Sequence, residues 1–434
     1  MNYKKIKTSM DSILRFMEDS KSQFVEDPTS DFTRARKLSF SETIKCLLSM
    51  DNHSLNTELR NYFSLNTDFS VTKSAFVQRR EKLNDNVFRY IFDSLIKTFP
   101  FKKLYCGYHL LAVDGSDINI PSLPGSDETY VKSCVENVGF HQMHLNALYD
   151  LMEGRYYDYE IQPRACLNEH SAFCEMIDRN MLGAKTLYIA DCGYQSLNSI
   201  EHILRAGQSF VIRAKDAYSY GSPFKHMYLP NTDEFDLDIE FKITRSRKQQ
   251  YQNDPIYKTL KTHQTFDAIP ISDRETIVPV EFRLVKLRIS EDTVEYLLTN
   301  LPRKKFKIQE LKEVYNARWG IETSFRLLKY NFALNSFHSI KRKFICQEIE
   351  SHLIMYNLTM LLVASTPVPQ KATKHKYKIS IADAVVTAKL FFRGCIKALD
   401  VARELLKYLT PIRKGLSAPR KVRKRSVVPL NNRS

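Results

Sequence analysis

Long apolar runs are missing from this 434-residue sequence. The most apolar stretch, LIMYNLTMLLVAS from Leu353, is shorter than the roughly 20 residues that a membrane-spanning helix needs, and it contains Asn357. We therefore expect a buried core helix there. The first twenty residues lack an apolar segment followed by a small-residue cleavage site, so no secretory signal is predicted and a cytoplasmic, nucleoid-associated protein is expected.

Closely spaced cysteines are also missing. The eight cysteines are scattered along the chain, and none forms a C-x-x-C pair. The sequence therefore predicts neither a zinc site nor a disulfide framework, and it fits a reducing compartment.

Acidic residues are few relative to basic ones. The chain has 65 Lys and Arg against 49 Asp and Glu, which gives a net charge of +16. Such an excess favours a polyanionic partner, and nucleic acid is the commonest. The alternative is a basic protein whose charge only aids solubility.

Residues 1–104 are predicted to form short helices joined by polar turns. SFSE at Ser39–Glu42 has the form of a capping box, which marks a helix start. A second helix is expected from Thr72, and its basic residues are Lys73, Arg79, Arg80 and Lys82. This pattern suits a helical DNA-binding region, and amphipathic helices packed on their neighbours are the alternative.

Residues 105–214 are predicted to alternate between strands and helices. The order is three strands, helix, strand, helix, strand, and the second and third strands form a hairpin. Asp114 in AVDGSD and Asp191 in IADCGY are both expected at the carboxyl ends of apolar strands. Asp117 is expected to form a turn, with an auxiliary acid beside Asp114 as the alternative.

The rest of the chain divides into three further regions. Residues 215–301 are predicted to be mostly antiparallel β structure, inserted as a unit of its own. Residues 302–400 hold a helix around Glu322 and the apolar helix around Leu353. Residues 401–434 end in a tail that has eight basic residues and no acid from Arg413 onwards, and such tails often contact phosphates.

The segment YNARWGIETSFRLLK, residues 315–329, gathers polar side chains on one helix face. With about 100° per residue, Tyr315, Arg318, Glu322 and Lys329 fall within less than about a quarter of a turn. An exposed helix with an Arg–Glu pair would explain only two of them.

Asp114, Asp191 and Glu322 together would form an oxygen-only ligand set, which suits Mg²⁺ or Mn²⁺. Two such ions can support an in-line phosphoryl transfer, and their charge relieves the repulsion between the carboxylates. Arg318 and Lys329 on the helix face are suited to bind flanking phosphates.

These motifs resemble those of bacterial DDE transposases of the insertion-sequence-4 family. YNARWGIETSFRLLK looks like the Y-x2-R-x3-E-x6-K signature, AVDGSD resembles the first-aspartate motif, and IADCGYQS resembles the second. The likeness covers most of residues 38–365. It implies an α/β fold with an RNase H-like catalytic core, a mixed sheet flanked by helices. A β-rich insertion would interrupt this core, and an N-terminal helical DNA-binding domain would precede it.

The resemblance also implies cut-and-paste transposition. Two Mg²⁺ ions, for which Mn²⁺ can substitute, would activate water to nick DNA at the transposon end, and the freed 3′-hydroxyl would form a hairpin before joining target DNA. The partners would be terminal inverted repeats and target DNA, bound by a homodimer. The implied catalytic and metal-binding residues are Asp114, Asp191 and Glu322, and the implied DNA contacts are Tyr315, Arg318 and Lys329.

The remaining aromatic, histidine and acidic residues of note are not predicted to bind metal or substrate. Trp319, the only tryptophan, is expected to anchor the core, with base stacking as the alternative. His141 and His144 lie three apart in a predicted strand and face opposite sides, so a shared metal is not expected. Glu169 and His170 lack the second histidine of a zinc-protease helix.

Two other function classes remain open. One is a transposase-derived DNA-binding protein that no longer cuts, although the three acids and the basic helix face argue against it. The other is a structure-specific RNase H-like nuclease without strand transfer, although the Y-R-E-K pattern and the large insertion argue against it.

Overall fold

The computed structural model describes most of the chain. The described residues are 2–34, 36–64, 71–122, 125, 127–132, 139–183, 185–219, 222–290, 293–369, 375–412 and 431–432. The basic tail predicted from Arg413 onwards lies outside them, except for its residues 431–432.

The described part of the N-terminal region contains five α-helices, in agreement with the predicted helical character. They are α1 (Tyr3–Asp19), α2 (Phe40–Ser49), α3 (Leu55–Phe63), α4 (Lys73–Glu81) and α5 (Asn86–Thr98). The side chain of Ser39 accepts a hydrogen bond from the N–H of Glu42 at 3.1 Å, and Thr72 caps α4 in the same way. Both predicted helix starts are confirmed, because these side chains satisfy N–H groups that have no partner within the helix.

Not every basic residue of α4 faces solvent. Arg80 is 1% exposed, and its guanidinium lies 2.7 Å from the carboxylate of Glu348 and 2.8 Å from the amide oxygen of Gln347. The expectation that Arg80 belongs to a basic DNA-facing set is therefore wrong, because its charge is used inside the core.

The middle of the chain forms strands and helices in the predicted order, with one short extra strand. The strands are β1 (His109–Ile120), β2 (Tyr130–Val131), β3 (Phe140–Asp150), β4 (Arg155–Pro163), β5 (Thr186–Ala190) and β6 (Ser209–Ala214). The helices are α6 (Glu169–Asp178) and α7 (Leu197–Arg205). The predicted hairpin is the antiparallel pair of β3 and β4.

The segment after β6 is β-rich, as predicted. It contains β7 (Phe235–Thr244), the one-turn helix α8 (Gln249–Gln252), β8 (Tyr257–Thr259), β9 (Ile277–Ser290) and β10 (Thr293–Thr299). Its strands do not form a separate sheet, because β10 pairs with β6 and continues a ten-stranded mixed sheet in the order β2-β3-β1-β5-β6-β10-β9-β7-β8, with β4 on β3. The expectation of an independent inserted unit is therefore wrong at the level of hydrogen bonding.

The last third of the described chain is mainly helical. The helices are α9 (Ile308–Ala317), α10 (Trp319–Asn331), α11 (Arg342–Ala364), α12 (Ile381–Phe392) and α13 (Val401–Lys407). Two small ladders join β11 (Ser336–Phe337) to β14 (Asn431–Asn432) and β12 (Lys376–Ile379) to β13 (Leu409–Ile412). Helix α11 is the predicted buried helix, and the amide of Asn357 is satisfied by both backbone groups of Tyr156 at 2.8 Å.

Side chains of β1 alternate between the two faces of the sheet. Leu111 and Val113 join a core that includes α6 and α7, whereas Ala112 and Ile118 join the core formed with the N-terminal helices, α10 and α11. The side chain of Asp114 therefore faces the α10 side. None of the helices in the described ranges has the length and hydropathy of a membrane-spanning segment.

Candidate functional site

Parallel pairing brings the two predicted aspartates to the same level of the sheet. The last pair between β1 and β5 is Val113 with Ala190, so Asp114 and Asp191 are the next residue on each strand. β1 does not end there, because its antiparallel pairing with β3 continues to its last residue. The expectation that Asp114 ends a strand is wrong. Asp117 is likewise a strand residue and not a turn residue.

The predicted single helix over residues 315–329 is two helices. α9 and α10 meet at Arg318, which keeps helical angles of φ −50° and ψ −33°. Its N–H bonds to the carbonyl of Tyr315 at 3.0 Å, the tighter spacing of a 3₁₀ turn. Gly320 follows, and glycine is a weak helix former. Because the junction stays nearly helical, Tyr315, Arg318 and Glu322 remain neighbours.

The guanidinium of Arg318 lies between two of the predicted acids. Its Nη2 is 2.8 Å from Oε1 of Glu322, and its Nη1 is 3.8 Å from Oδ2 of Asp114. Arg318 is only 5% exposed. Burial lowers the pKa of Arg318, but Tyr315 and the acids of the site raise it above its ordinary value. Arg318 is thus a permanent cation inside the site.

A second arginine, which the sequence analysis missed, holds the third acid. Nε of Arg213 lies 2.6 Å from Oδ1 of Asp191, and its Nη1 lies 3.4 Å from Glu295. The hydroxyl of Tyr315 donates to the same oxygen of Asp191 at 3.2 Å. Arg213 comes close to Asp191 through the parallel pairing of β6 with β5, and its local sequence, SFVIRA, gives no signal of this.

Burial and the charges of the neighbouring acids both raise the pKa of Asp114. Burial raises the pKa of Asp114 to about 6, and the charges of Glu322 and Asp191 add to the rise. The N–H of Gly115 and the charge of Arg318 oppose it. An added cation would therefore be favoured here, because it would offset both burial and repulsion.

Lys329 lies on α10 about two turns beyond Glu322, and it contacts the strand that carries Asp114. Its Nζ donates to the backbone carbonyl of Asp117 at 2.8 Å. Burial lowers the pKa of Lys329, and the charge of Asp117 partly opposes this. Arg326, on the same helix, is exposed.

Trp319 does not anchor the core, contrary to expectation. It is 56% exposed, and the guanidinium carbon of Arg318 lies 5.5 Å from its ring centre. The buried stripe of α10 contains Ile321, Phe325 and Leu328, and Trp319 lies about 160° away from Ile321 on the helix. Its position on the helix therefore directs it to solvent.

The donor chemistry of the site suits a hard divalent cation, since all three acids offer oxygens only. Arg318 and Arg213 now make the contacts that a cation would make with these oxygens. Within the described ranges, no three His, Cys, Asp or Glu side chains lie together as a ready-made ligand set. Binding of a cation by Asp114, Asp191 and Glu322 thus requires their side chains to turn from the arginines towards one another.

A second basic surface lies in the N-terminal region. A cleft of about 900 Å³ separates residues 29–34 and 36–38 from α4 and the residues just before it. We call it the basic groove; the basic residues that line it are Arg34, Arg36, Lys37, Arg79 and Lys82. Its described lining contains no acidic residue. Burial lowers the pKa of Arg79, and the charge of the nearby Arg36 lowers it further.

The chain is similar in sequence to known transposases. A family model described as the transposase DDE domain matches residues 105–358, more than half of the chain. The transposase for insertion sequence element IS231F of Bacillus thuringiensis subsp. israelensis is 22% identical over 314 residues, which are 64% of this chain and 62% of that protein. The cryo-EM structure of a piggyBac transposase synaptic complex with hairpin DNA aligns with a TM-score of 0.46 and 10% identity, covering 93% of this chain and 81% of that one.

The matched family region runs from just before β1 to within α11. It therefore includes Asp114, Asp191 and Glu322, together with the two arginines that contact them. The match with the curated relative spans less than two thirds of that protein. Because this family model matches more than half of the chain, the chain belongs to the family of transposase DDE domains.

Proposed function

We propose that this protein is a DNA transposase that moves an insertion sequence by DNA strand cleavage and strand transfer. The proposal is supported by the adjacency of Asp114 and Asp191 where the β1–β5 pairing ends, with the buried Arg318 between Asp114 and Glu322. The half-buried Lys329 lies on the same helix as Glu322. The proposal includes a cut-and-paste route through a hairpin intermediate. It also includes membership of the insertion-sequence-4 group, because the Tyr315–Lys329 segment resembles that group's signature.

Asp114, Asp191 and Glu322 are the proposed ligands of two Mg²⁺ ions, with Mn²⁺ as a substitute. Bound Mg²⁺ supplies the positive charge that stabilises the attacking and leaving oxygens of an in-line phosphoryl transfer. The protein contributes the fixed placement of the aspartates on neighbouring strands. Arg318 and Arg213 neutralise the carboxylates until the cation arrives.

Once a cation replaces the arginines at the carboxylates, the arginines are available to bind phosphates. A guanidinium that leaves a carboxylate for a phosphate exchanges one bidentate anion for another, so its charge stays paired. Arg318 and Tyr315 are therefore proposed to bind the phosphates next to the scissile bond. Lys329, held beside them by the carbonyl of Asp117, is proposed to bind a flanking phosphate as a point charge.

The remaining proposed partners follow from charge and symmetry. The basic groove of residues 1–104 is proposed to contact the terminal inverted repeats, and target DNA would approach the acidic site. A homodimer across paired ends is proposed from the family resemblance alone. The catalytic core is proposed to be RNase H-like, in two parts, 105–214 and 302–400, around the β-rich segment 215–301.

The test is an end-cleavage assay. The full-length protein is incubated with a labelled duplex that carries the end of its own element, with Mg²⁺ present, and products are resolved on a denaturing gel. We expect nicked, hairpin and strand-transfer products from the wild type and none from Asp114→Ala or Glu322→Gln. Asp267→Asn is the matched control, because it removes an aspartate that pairs with His202 outside the site.

Other outcomes have clear meanings. Nicks without joined products would favour a nuclease, and binding without cleavage would favour a DNA-binding protein that no longer cuts. Full activity in Glu322→Gln would refute the proposed site.

A further inference from the structure

A buried histidine on the far side of β1 is bound by two acids. His144 on β3 is opposite Asp117 in the β1–β3 register and is 5% exposed. Its Nδ1 is 2.7 Å from Oδ1 of Asp117, and its Nε2 is 3.2 Å from Oε1 of Glu169, the first residue of α6. Although burial lowers the pKa of His144, the two carboxylates raise it above its ordinary value. The imidazole therefore links β1 to α6 through two carboxylates.

The imidazole packs against the backbone that follows Asp114. A Cβ atom placed on Gly115 would lie 2.2 Å from Nε2 of His144 and 2.9 Å from Oε1 of Glu169. Only glycine allows such a close approach without displacing the ring. The carboxylate of Glu169 also lies near Gly193, two residues after Asp191. The histidine thus packs against the segment that follows Asp114, and Glu169 lies near the segment that follows Asp191.

The same group reaches the proposed phosphate-binding lysine. Asp117, which accepts the hydrogen bond from His144, offers its backbone carbonyl to Nζ of Lys329 at 2.8 Å. Its carboxylate is also 3.4 Å from Nε of Arg164. Asp117 is therefore held from one side by His144 and Arg164, while it holds Lys329 on the other.

We propose that His144 is a positioning residue for this site: by bridging Asp117 and Glu169, it fixes the β1 backbone between Asp114 and the carbonyl that holds Lys329. This inference rests on the proposed function, because it assumes that Asp114 binds a divalent cation and that Lys329 binds a phosphate. His144 contacts neither Asp114 nor Lys329, and it acts through the backbone of Gly115 and Asp117.

The first readout is binding of Mn²⁺ alone. The chain has one tryptophan, Trp319, which lies beside Arg318, so its fluorescence reports on this site alone. Paramagnetic quenching of Trp319 by added Mn²⁺ gives a midpoint for the full-length protein without DNA. We expect His144→Ala to raise this midpoint by about 10- to 100-fold, the usual effect of removing a group that orients a metal ligand.

The second readout is the rate of single-turnover end cleavage at saturating DNA. We expect His144→Ala to lower this rate by about 10- to 100-fold while DNA affinity stays close to wild type. His144→Asn should recover most of the rate, because the asparagine amide can donate to Asp117 from nearly the position of Nδ1. Asp117→Asn keeps the shape of a half-exposed side chain, so it tests the same bridge in a variant expected to fold.

His202→Ala is the matched control. His202 is also buried, at 4% exposure, and its nitrogens lie 2.8 and 2.9 Å from Asp178 and Asp267, but it lies on α7 and contacts none of the three acids. We expect it to lower stability without changing the Mn²⁺ midpoint or the cleavage rate per folded molecule. Equal losses in His144→Ala and His202→Ala, or a wild-type midpoint in both His144→Ala and Asp117→Asn, would overturn the inference.

The two proposals fail in different ways. A wild type that binds Mn²⁺ without cutting DNA refutes the transposase proposal, and the role of His144 is then decided by the Mn²⁺ midpoints. A wild type that cuts DNA at the same rate as His144→Ala and Asp117→Asn refutes the role of His144 alone. A wild type that neither binds Mn²⁺ nor cuts refutes both.

Discussion

Asp114 is the residue at which burial and charge conflict most directly in the site. Its neighbours include two other acids, and the arginine that faces it is 3.8 Å away, too far for a hydrogen bond. The folded chain therefore holds this carboxyl as a weaker acid than an unfolded chain does.

This conflict predicts a pH dependence of stability. The pKa of Asp114 is about 6 in the folded chain, against 3.8 for the free side chain. Between these values the folded chain binds a proton that the unfolded chain has lost, so the free energy of unfolding falls as pH rises from about 4 to 6. Asp114→Asn removes this loss and should stabilise the protein by about 2–3 kcal/mol at neutral pH. Urea denaturation at pH 5 and pH 7.5 without divalent cations measures the difference.

Added Mg²⁺ provides the control for that measurement. Because a ligand that binds only the folded state stabilises it, Mg²⁺ should raise the stability of the wild type and have a much smaller effect on Asp114→Asn. A variant that is less stable than the wild type at both pH values would contradict the account of Asp114.

Among the secondary-structure elements, α4 shows how adjacent residues serve different purposes. Arg80 is buried and paired with Glu348 on α11, whereas Arg79 is partly exposed in the basic groove, with its guanidinium carbon 4.4 Å from the ring centre of Phe32. One arginine attaches the helix to the core, and the other faces the groove.

Removal of each arginine should therefore have a different effect. Arg80→Ala leaves the buried Glu348 carboxylate with His338 but without its arginine, and should lower the free energy of unfolding by about 3–5 kcal/mol. Arg79→Ala loses a partly exposed cation–π contact and the hydrogen bond from Nε to the carbonyl of Leu38, and it should cost only about 1–2 kcal/mol. Chemical denaturation of the two variants compares them directly, and equal losses would show that Arg80 does not hold α4 to α11.

The sequence predicts where helices and strands lie better than it predicts which of them pair or pack together. The starts of α2 and α4, the hairpin of β3 and β4 and the buried helix α11 follow from capping residues and apolar spacing, which are local signals. The pairing of β10 with β6 and the break at Arg318 were missed, because the first depends on distant strands and the second on local packing around Gly320.

At the scale of the whole molecule, the charge of +16 is distributed unevenly. The basic groove gathers five basic residues, and its described lining holds no acid. The charge excess was visible in the composition, but the groove was not, because Arg34 and Arg36 reach α4 only through the folding of α1–α4.

The groove predicts a salt effect on DNA binding. Each phosphate contact that is lost lowers the slope of log K against log salt by about 0.9, so Arg34→Ala combined with Arg36→Ala should reduce the slope by nearly 2. Fluorescence anisotropy with an end duplex at several salt concentrations measures it. The same double change should leave thermal stability unaltered, since both side chains are exposed. An unchanged slope would exclude the groove from the DNA interface.

The hydrogen bonds between β10 and β6 limit how the protein can be divided. Excision of residues 215–301 would strip β6 of its outer neighbour and leave a bare row of N–H and C=O groups two strands from Asp114, while the excised piece would carry the complementary bare row on β10. Unpaired strand edges of this kind promote aggregation. The segment is therefore not a removable cassette, and neither fragment is expected to remain monomeric when expressed alone.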